Sequence, residues 1–153
     1  MSGSADDKAR ARLIGTWTLV AAVREEVPSG QSTHFLGAQP RGYLTYSPEG
    51  RMLALITHAD RKAPAAARAS AAEAEALFRS MVSYGGTFTV AGDVVTHHVD
   101  ISWNQSFTGG DQRRQFVLDG DRLILSTPQS PDPVDGKPSV RRMTWQRVGR
   151  PQV

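Results

Sequence analysis

The sequence predicts an all-β chain folded as an antiparallel up-and-down barrel of about eight strands, with one helix inserted between the third and fourth strands at the open end. Three observations carry this. Short alternating runs are separated by turn-forming residues throughout the chain; Gly15-Thr16-Trp17 heads the run Trp17, Leu19, Ala21, Val23; and one stretch alone carries apolar residues at helical spacing. At 153 residues and 16.6 kDa the chain reads as one domain, 1–153. A chain of that size buries roughly two-thirds of the surface its unfolded form exposes.

The elements follow in order. Met1 to Arg12 is a polar leader of mixed charge, without the apolar core of a secretory signal. Gly15 to Glu26 is the first strand, opened by a Trp behind a Gly that lets the backbone come in close, as at the plugged end of a small barrel. Arg41 to Ser47 and Arg51 to Thr57 flank the turn Ser47-Pro48-Glu49-Gly50. A helix flap is expected over 70–84: Ser70-Ala71-Ala72-Glu73 is a capping box, Ala74, Leu77, Phe78, Met81 and Val82 form its apolar stripe, and Gly85-Gly86 stops it. Thr87 to Ala91 and Val94 to Trp103 flank Gly92-Asp93, while Gln112 to Leu118 and Arg122 to Thr127 flank the hairpin pair Asp119-Gly120. Pro128 to Pro138 holds four of the nine prolines and is a loop, because a last strand, Ser139 to Val148, follows it.

Up-and-down order sorts the connections. The tight turns at Pro48, Gly92 and Asp119 fall at the end where the first strand begins; the long ones, Val27 to Pro40, His58 to Gly86, Asn104 to Asp111 and Pro128 to Pro138, fall at the other. One end is therefore closed near Trp17, and the other is a mouth where a ligand pocket belongs. Closure sets the first strand beside the last, with Trp17 facing Arg147, Leu19 facing Trp145, Ala21 facing Met143 and Val23 facing Arg141. A guanidinium over an indole serves the fold, so Gly15, Trp17 and Arg147 read as structural.

Gly15-Thr16-Trp17, the late Arg147, and Thr96-His97-His98-Val99 ahead of Asp119-Gly120-Asp121-Arg122-Leu123 resemble the bacterial and fungal lipocalin-like domain family, a calycin-type small barrel. The resemblance runs from Leu13 to Val148 and implies a pocket for a hydrophobic small molecule. Similarity to secreted lipocalins is narrower, resting on the Gly-x-Trp and the last-strand Arg. This chain has no disulfide and carries its helix in mid-chain.

Composition removes several classes. The chain has no Cys, which excludes thiol nucleophiles, disulfides and Cys-ligated zinc and, with the polar leader, leads us to expect the cytoplasm. No apolar run reaches the roughly 20 residues of a membrane span. The sequence pI is 9.7 but net charge is only +3, with a local excess at Lys137, Arg141, Arg142, Arg147 and Arg150, so no nucleic-acid or membrane partner is expected. No Gly-x-Ser-x-Gly elbow, Walker loop or dinucleotide fingerprint occurs. His58-x-Asp60 and His98-x-Asp100 each offer two ligands where a metal needs three or four, so neither a metal nor another cofactor is expected.

The candidate ligand-binding residues are His97, Trp103, Arg114, Arg141, Tyr46 and His58. His97 shares a strand face with Val95, Val99, Ile101 and Trp103, so it points inward, either as a hydrogen-bonded core residue or as the acid/base or anchoring group of a pocket. Trp103 and His58 stand at the mouth ends of their strands. Arg114 shares a face with Phe116 and Leu118; inside a barrel an Arg needs an anionic ligand or an ion-pair partner such as Glu25, Glu26 or Asp111. Tyr43 and Tyr46 lie on opposite faces, and the sequence leaves open which enters the cavity. The expected function is binding of a hydrophobic, or hydrophobic and anionic, small molecule by a monomer or homodimer. The alternative is a cofactor-independent cyclase or isomerase of polyketide- or terpenoid-type specialised metabolism, with His97 or Tyr46 as acid/base and Arg114 or Arg141 stabilising an enolate.

Overall fold

A computed structural model describes residues 2–149; Met1 and residues 150–153, including Arg150 of the basic cluster, lie outside the described residues. The chain runs α1 (Ser2–Leu13), β1 (Gly15–Glu26), β2 (Ser32–Thr33), β3 (Arg41–Tyr46), β4 (Arg51–Thr57), α2 (Ala71–Arg79), β5 (Met81–Ala91), β6 (Val94–Ser102), β7 (Asp111–Asp119), β8 (Arg122–Ser126), β9 (Ser130–Pro131) and β10 (Pro138–Arg147). Every pairing is antiparallel, and β1 pairs with β10. The eight long strands thus close an up-and-down barrel, while the two-residue strands β2 and β9 extend its seam at the mouth.

The closed end lies where the turns predicted it, and its plug is the leader. Read as merely polar, this segment is a helix whose last residue, Leu13, is fully buried beneath the barrel. Its single turn of apolar contact is too little to register as periodicity, so polar tethers position it instead. Asp6 Oδ1 accepts from the Gly92 N–H at 2.9 Å, and Arg10 donates to the Pro48 carbonyl at 3.1 Å. The Trp17 indole N–H donates to the Leu13 carbonyl at 2.9 Å.

Arg147 completes the plug. Its guanidinium lies 4.2 Å from the centre of the Trp17 ring and donates to the carbonyls of Ile14 (2.8 Å) and Arg12 (2.6 Å), which the end of α1 leaves without helical partners. Gly15 has φ +131°, which favours glycine, and a Cβ there would stand 2.9 Å from an Arg147 terminal nitrogen, so a larger residue would also displace the stacked guanidinium.

Three sequence expectations need correction. The first concerns register. Trp17 does face Arg147, and Leu19 does face Trp145, but a bulge at Val20 shifts the rest by one, so that Ala22 faces Met143 and Arg24, not Val23, faces Arg141. Ala22 is accordingly the fully buried residue.

The second concerns β6, where Gly85 pairs with Ile101 but Gly86 pairs with Val99, leaving Asp100 as the extra residue. Beyond this bulge the faces invert, and Ile101, expected inward, is 67% exposed. A Cβ on Gly86 would sit 1.8 Å from the His98 carbonyl oxygen; the close approach of the two strands depends on that glycine.

The third concerns the helix. The Ser70 capping box is present, but α2 ends at Arg79, and Met81 and Val82 pair with Thr57 and Ile56 in the sheet. β4 runs to Thr57, and its backbone groups are satisfied along their whole length only if β5 begins this early; that requirement outweighs local helical spacing. Gly85-Gly86 is therefore strand, not a helix stop. Among the described residues no helix is long and apolar enough to cross a membrane.

Two stability effects follow. Replacing Arg147 with Met removes the cation–π contact and strands two helix-end carbonyls, with an expected loss of about 2–3 kcal/mol in urea denaturation. Gly86→Ala forces β5 and β6 apart and should cost more than Arg147→Met, to the point of failing to fold; a thermal midpoint within a few degrees of wild type would contradict this.

Candidate functional site

The open end holds an internal cavity of about 290 Å³. Leu44, Ala54, Ile56, Leu125, Met143 and Trp145 form its apolar wall, and Phe35, Leu36 and Val134 reach it from the two long loops at the rim. Strand alternation delivers Tyr84, His97, Arg114 and Arg141 to the same space from β5, β6, β7 and β10. A second, more polar cleft of about 480 Å³ between β7 and the loop after β8 shares Phe107, Arg114, Thr127 and Arg141 with the cavity, so the two arginines stand where the cavity meets the outside.

His97 is 1% exposed and sits between two phenols. Its Nε2 is 2.7 Å from the Tyr46 hydroxyl, and its Nδ1 is 2.7 Å from the Tyr84 hydroxyl. Burial, with the nearby charge of Arg114 and then of His98, lowers its pKa to about 3, so the imidazole is neutral at physiological pH. Burial likewise raises both tyrosines above their ordinary value. Of the two tyrosines on opposite faces of β3, Tyr46 is buried and Tyr43 is 60% exposed, and neither lines the cavity. Tyr46 stands behind His97, its ring 4.7 Å from that of Phe88, and is not among the residues lining the cavity.

The two inward arginines differ. Arg141 does have an ion-pair partner, but it is none of the acids expected. Asp132, in the proline-rich loop, accepts from both Arg141 Nε and an Arg141 terminal nitrogen at 3.1 Å, from the Val134 N–H at 2.9 Å and from the Ser139 hydroxyl at 3.3 Å. Arg24, which the β1 bulge turns inward, approaches the same carboxylate at 3.3 Å. Burial alone would push this carboxyl up; the Val134 N–H and the Arg141 and Arg24 guanidiniums outweigh it and hold Asp132 below the usual carboxylate range.

Arg114 lacks such a partner. It donates to the Arg113 carbonyl at 2.7 Å and to Gln112 Oε1 at 3.3 Å, and among the described residues it makes no salt bridge.

Trp103 and His58 are placed away from the cavity wall. Past the β6 bulge, the Trp103 indole N–H donates to the Phe78 carbonyl at 3.2 Å and its ring meets Phe107 edge-on at 4.9 Å, which ties α2 to the rim. His58 Nδ1 accepts from the Asp60 N–H at 3.0 Å and borders a surface groove beside α2. His98 faces outward, 2.8 Å from Asp111 Oδ1. Among the described residues no three His, Cys, Asp or Glu side chains gather into a metal-binding group.

The sequence reading missed Tyr84, Trp145 as a cavity residue, and Arg24 with Asp132. Tyr84 had a usable signal, since Val82, Tyr84, Gly86, Phe88 and Val90 alternate, but helical spacing was read over it. Trp145 is 1% exposed, lines the cavity, and has an indole N–H without a hydrogen-bond partner among the described residues.

A closed eight-stranded up-and-down barrel, plugged at one end by Trp17 and Arg147 and hollow at the other, defines a small β-barrel protein with an internal cavity. Residues 14–148 match the family model of the lipocalin-like domain, and the chain belongs to that family. No curated protein matches it.

Because the His97 pKa is depressed, its contribution to stability is complete above 6.5 and is lost as the pH falls toward about 3. In this window the unfolded chain binds the proton that the folded chain refuses. Between about pH 6.5 and 5, above the range where the lowered carboxyls such as Asp132 also titrate, stability should fall by about 1.4 kcal/mol per pH unit, a slope that urea denaturation will find absent from His97→Asn. Tyr46→Phe leaves Nε2 unsatisfied and should cost about 1–3 kcal/mol, against no more than about 0.5 for the exposed Tyr43→Phe, both read by the same denaturation.

Proposed function

We propose that this protein binds a hydrophobic small molecule carrying an anionic group, with the apolar part inside the barrel and the charge at Arg114. The observation that carries the reading is a guanidinium with no carboxylate partner among the described residues, in the wall of a cavity that is otherwise mainly apolar. A buried or half-buried cation is costly without a partner, and a bound carboxylate or enolate supplies one. Arg141 is already neutralised by Asp132 and serves the rim instead. The cavity is at the small end of the range for ligand pockets, roughly 300–1,000 Å³, which suits a compact ring system or a short chain.

The cyclase or isomerase alternative draws on the same wall, where Tyr84 and Arg114 present a phenol and a cation together. It also needs a base. His97, with a pKa of about 3, is a weak proton acceptor at neutral pH, so binding is the better supported of the two.

The test uses 2-naphthoate as probe. Wild-type protein should be thermally stabilised by it in proportion to the logarithm of its concentration, and Arg114→Met should weaken binding about tenfold or more while leaving the fold intact. An unchanged thermal midpoint in excess 2-naphthoate, with nothing co-purifying in native mass spectrometry, would overturn the proposal.

A further inference from the structure

We infer that Tyr46, His97 and Tyr84 form a one-way hydrogen-bond chain that obliges Tyr84 to donate its hydroxyl proton into the cavity, which makes the cavity selective for ligands bearing a carbonyl or carboxylate acceptor. The inference rests on the cavity being a ligand site, and it adds what the ligand must carry.

Bookkeeping of protons leads there. Tyr46 is 1% exposed, and among the described residues its hydroxyl has one hydrogen-bond partner, His97 Nε2. A phenol has one proton to place, and a buried donor left without an acceptor is expensive. Tyr46 therefore donates and Nε2 accepts. A neutral imidazole carries its proton on the other nitrogen, so Nδ1 is the N–H and donates to the Tyr84 oxygen. The Tyr84 oxygen now accepts from His97, and its own proton must go elsewhere.

Tyr84 has no second protein partner among the described residues, and it lines the cavity where Tyr46 does not. The reversed chain, with Tyr84 donating to Nδ1 and Nε2–H donating to Tyr46, strands the Tyr46 proton in the core; both phenols are buried, but only Tyr84 lines the cavity, and that difference selects the direction. A protonated His97 would also force Tyr46 to accept, and the depressed pKa of the ring removes that state near neutrality.

Two other donors share the wall. The Trp145 N–H is buried without a partner among the described residues, and Arg114 can only donate. Three donors from β5, β7 and β10 thus converge on one cavity. Each hydrogen bond in the chain polarises the next, so the Tyr84 proton is a stronger donor than an isolated phenol's. Tyr46, which does not line the cavity, acts as a positioning residue through His97.

Two measurements test this separately from the binding proposal. The imidazole ¹⁵N shifts of ligand-free protein at neutral pH report the His97 tautomer directly: the Nδ1–H form is expected, and the Nε2–H form overturns the chain whether or not any ligand binds. The second compares 2-acetylnaphthalene with 2-isopropenylnaphthalene, which differ by a carbonyl oxygen in place of a methylene. Wild type should bind the ketone about five- to tenfold tighter. Tyr84→Phe should cut that ratio severalfold, to what Arg114 and the Trp145 N–H still supply, and Tyr46→Phe should shrink it by less, without any contact to the probe. A ketone preference undiminished in Tyr84→Phe, or equal binding of the two probes by wild type, overturns the inference. Failure of both neutral probes to bind overturns the selectivity for a carbonyl acceptor, while 2-naphthoate still decides the ligand site and the tautomer measurement the direction of the chain.

Discussion

The rest of the structure depends on the Arg147 guanidinium stacked on Trp17. It sits on the seam where the last strand meets the first, and on the closure of that seam every other register rests. The same group caps the carbonyl end of α1 and pairs with Asp121 in the β7–β8 turn, so helix, seam and turn are joined at one point. Removing water from this end gives the cavity a floor, and the longer connections gather at the opposite end. A barrel of this size cannot both fill its whole interior and hold a ligand; the plug decides which half is solid.

What remains inside is a problem of buried charge. Arg24 and Arg141 enter near the rim, and two carboxylates of a loop with no regular periodicity offset them, Asp132 meeting both and Asp135 meeting Arg24 at 2.7 Å. His97 avoids the cost by staying neutral between two phenols. Arg114 and the Trp145 N–H are left over, and both belong to the hollow half. Among the described residues the buried side-chain nitrogens without a hydrogen-bond partner are the Trp145 N–H, which belongs to the cavity, and Arg24 Nε, whose guanidinium Asp132 and Asp135 neutralise at the rim.

The pattern of residues already contained the barrel. Two-residue alternation, the turns at Pro48, Gly92 and Asp119, and Gly-x-Trp determined the strand count, the order, the closed end and the inward faces of His97 and Arg114, because each depends on residues close together in the chain. The start of the β1–β10 register was legible for the same reason. Helical spacing at Met81 and Val82 misled, because the sheet's demand for a partner along β4 is not written in that segment.

Only the tertiary structure decided the rest. The bulges at Val20 and Asp100 arise between strands, and each inverts the faces beyond it, turning Arg24 in and Ile101 out. Tyr46, Tyr84 and His97 come from three strands up to 51 residues apart, and Arg24 meets Asp132 across the seam. A sequence fixes which way a side chain faces within its own strand; which distant group it meets there depends on strand stagger, bulges and loop folding, and these are settled only when the barrel closes.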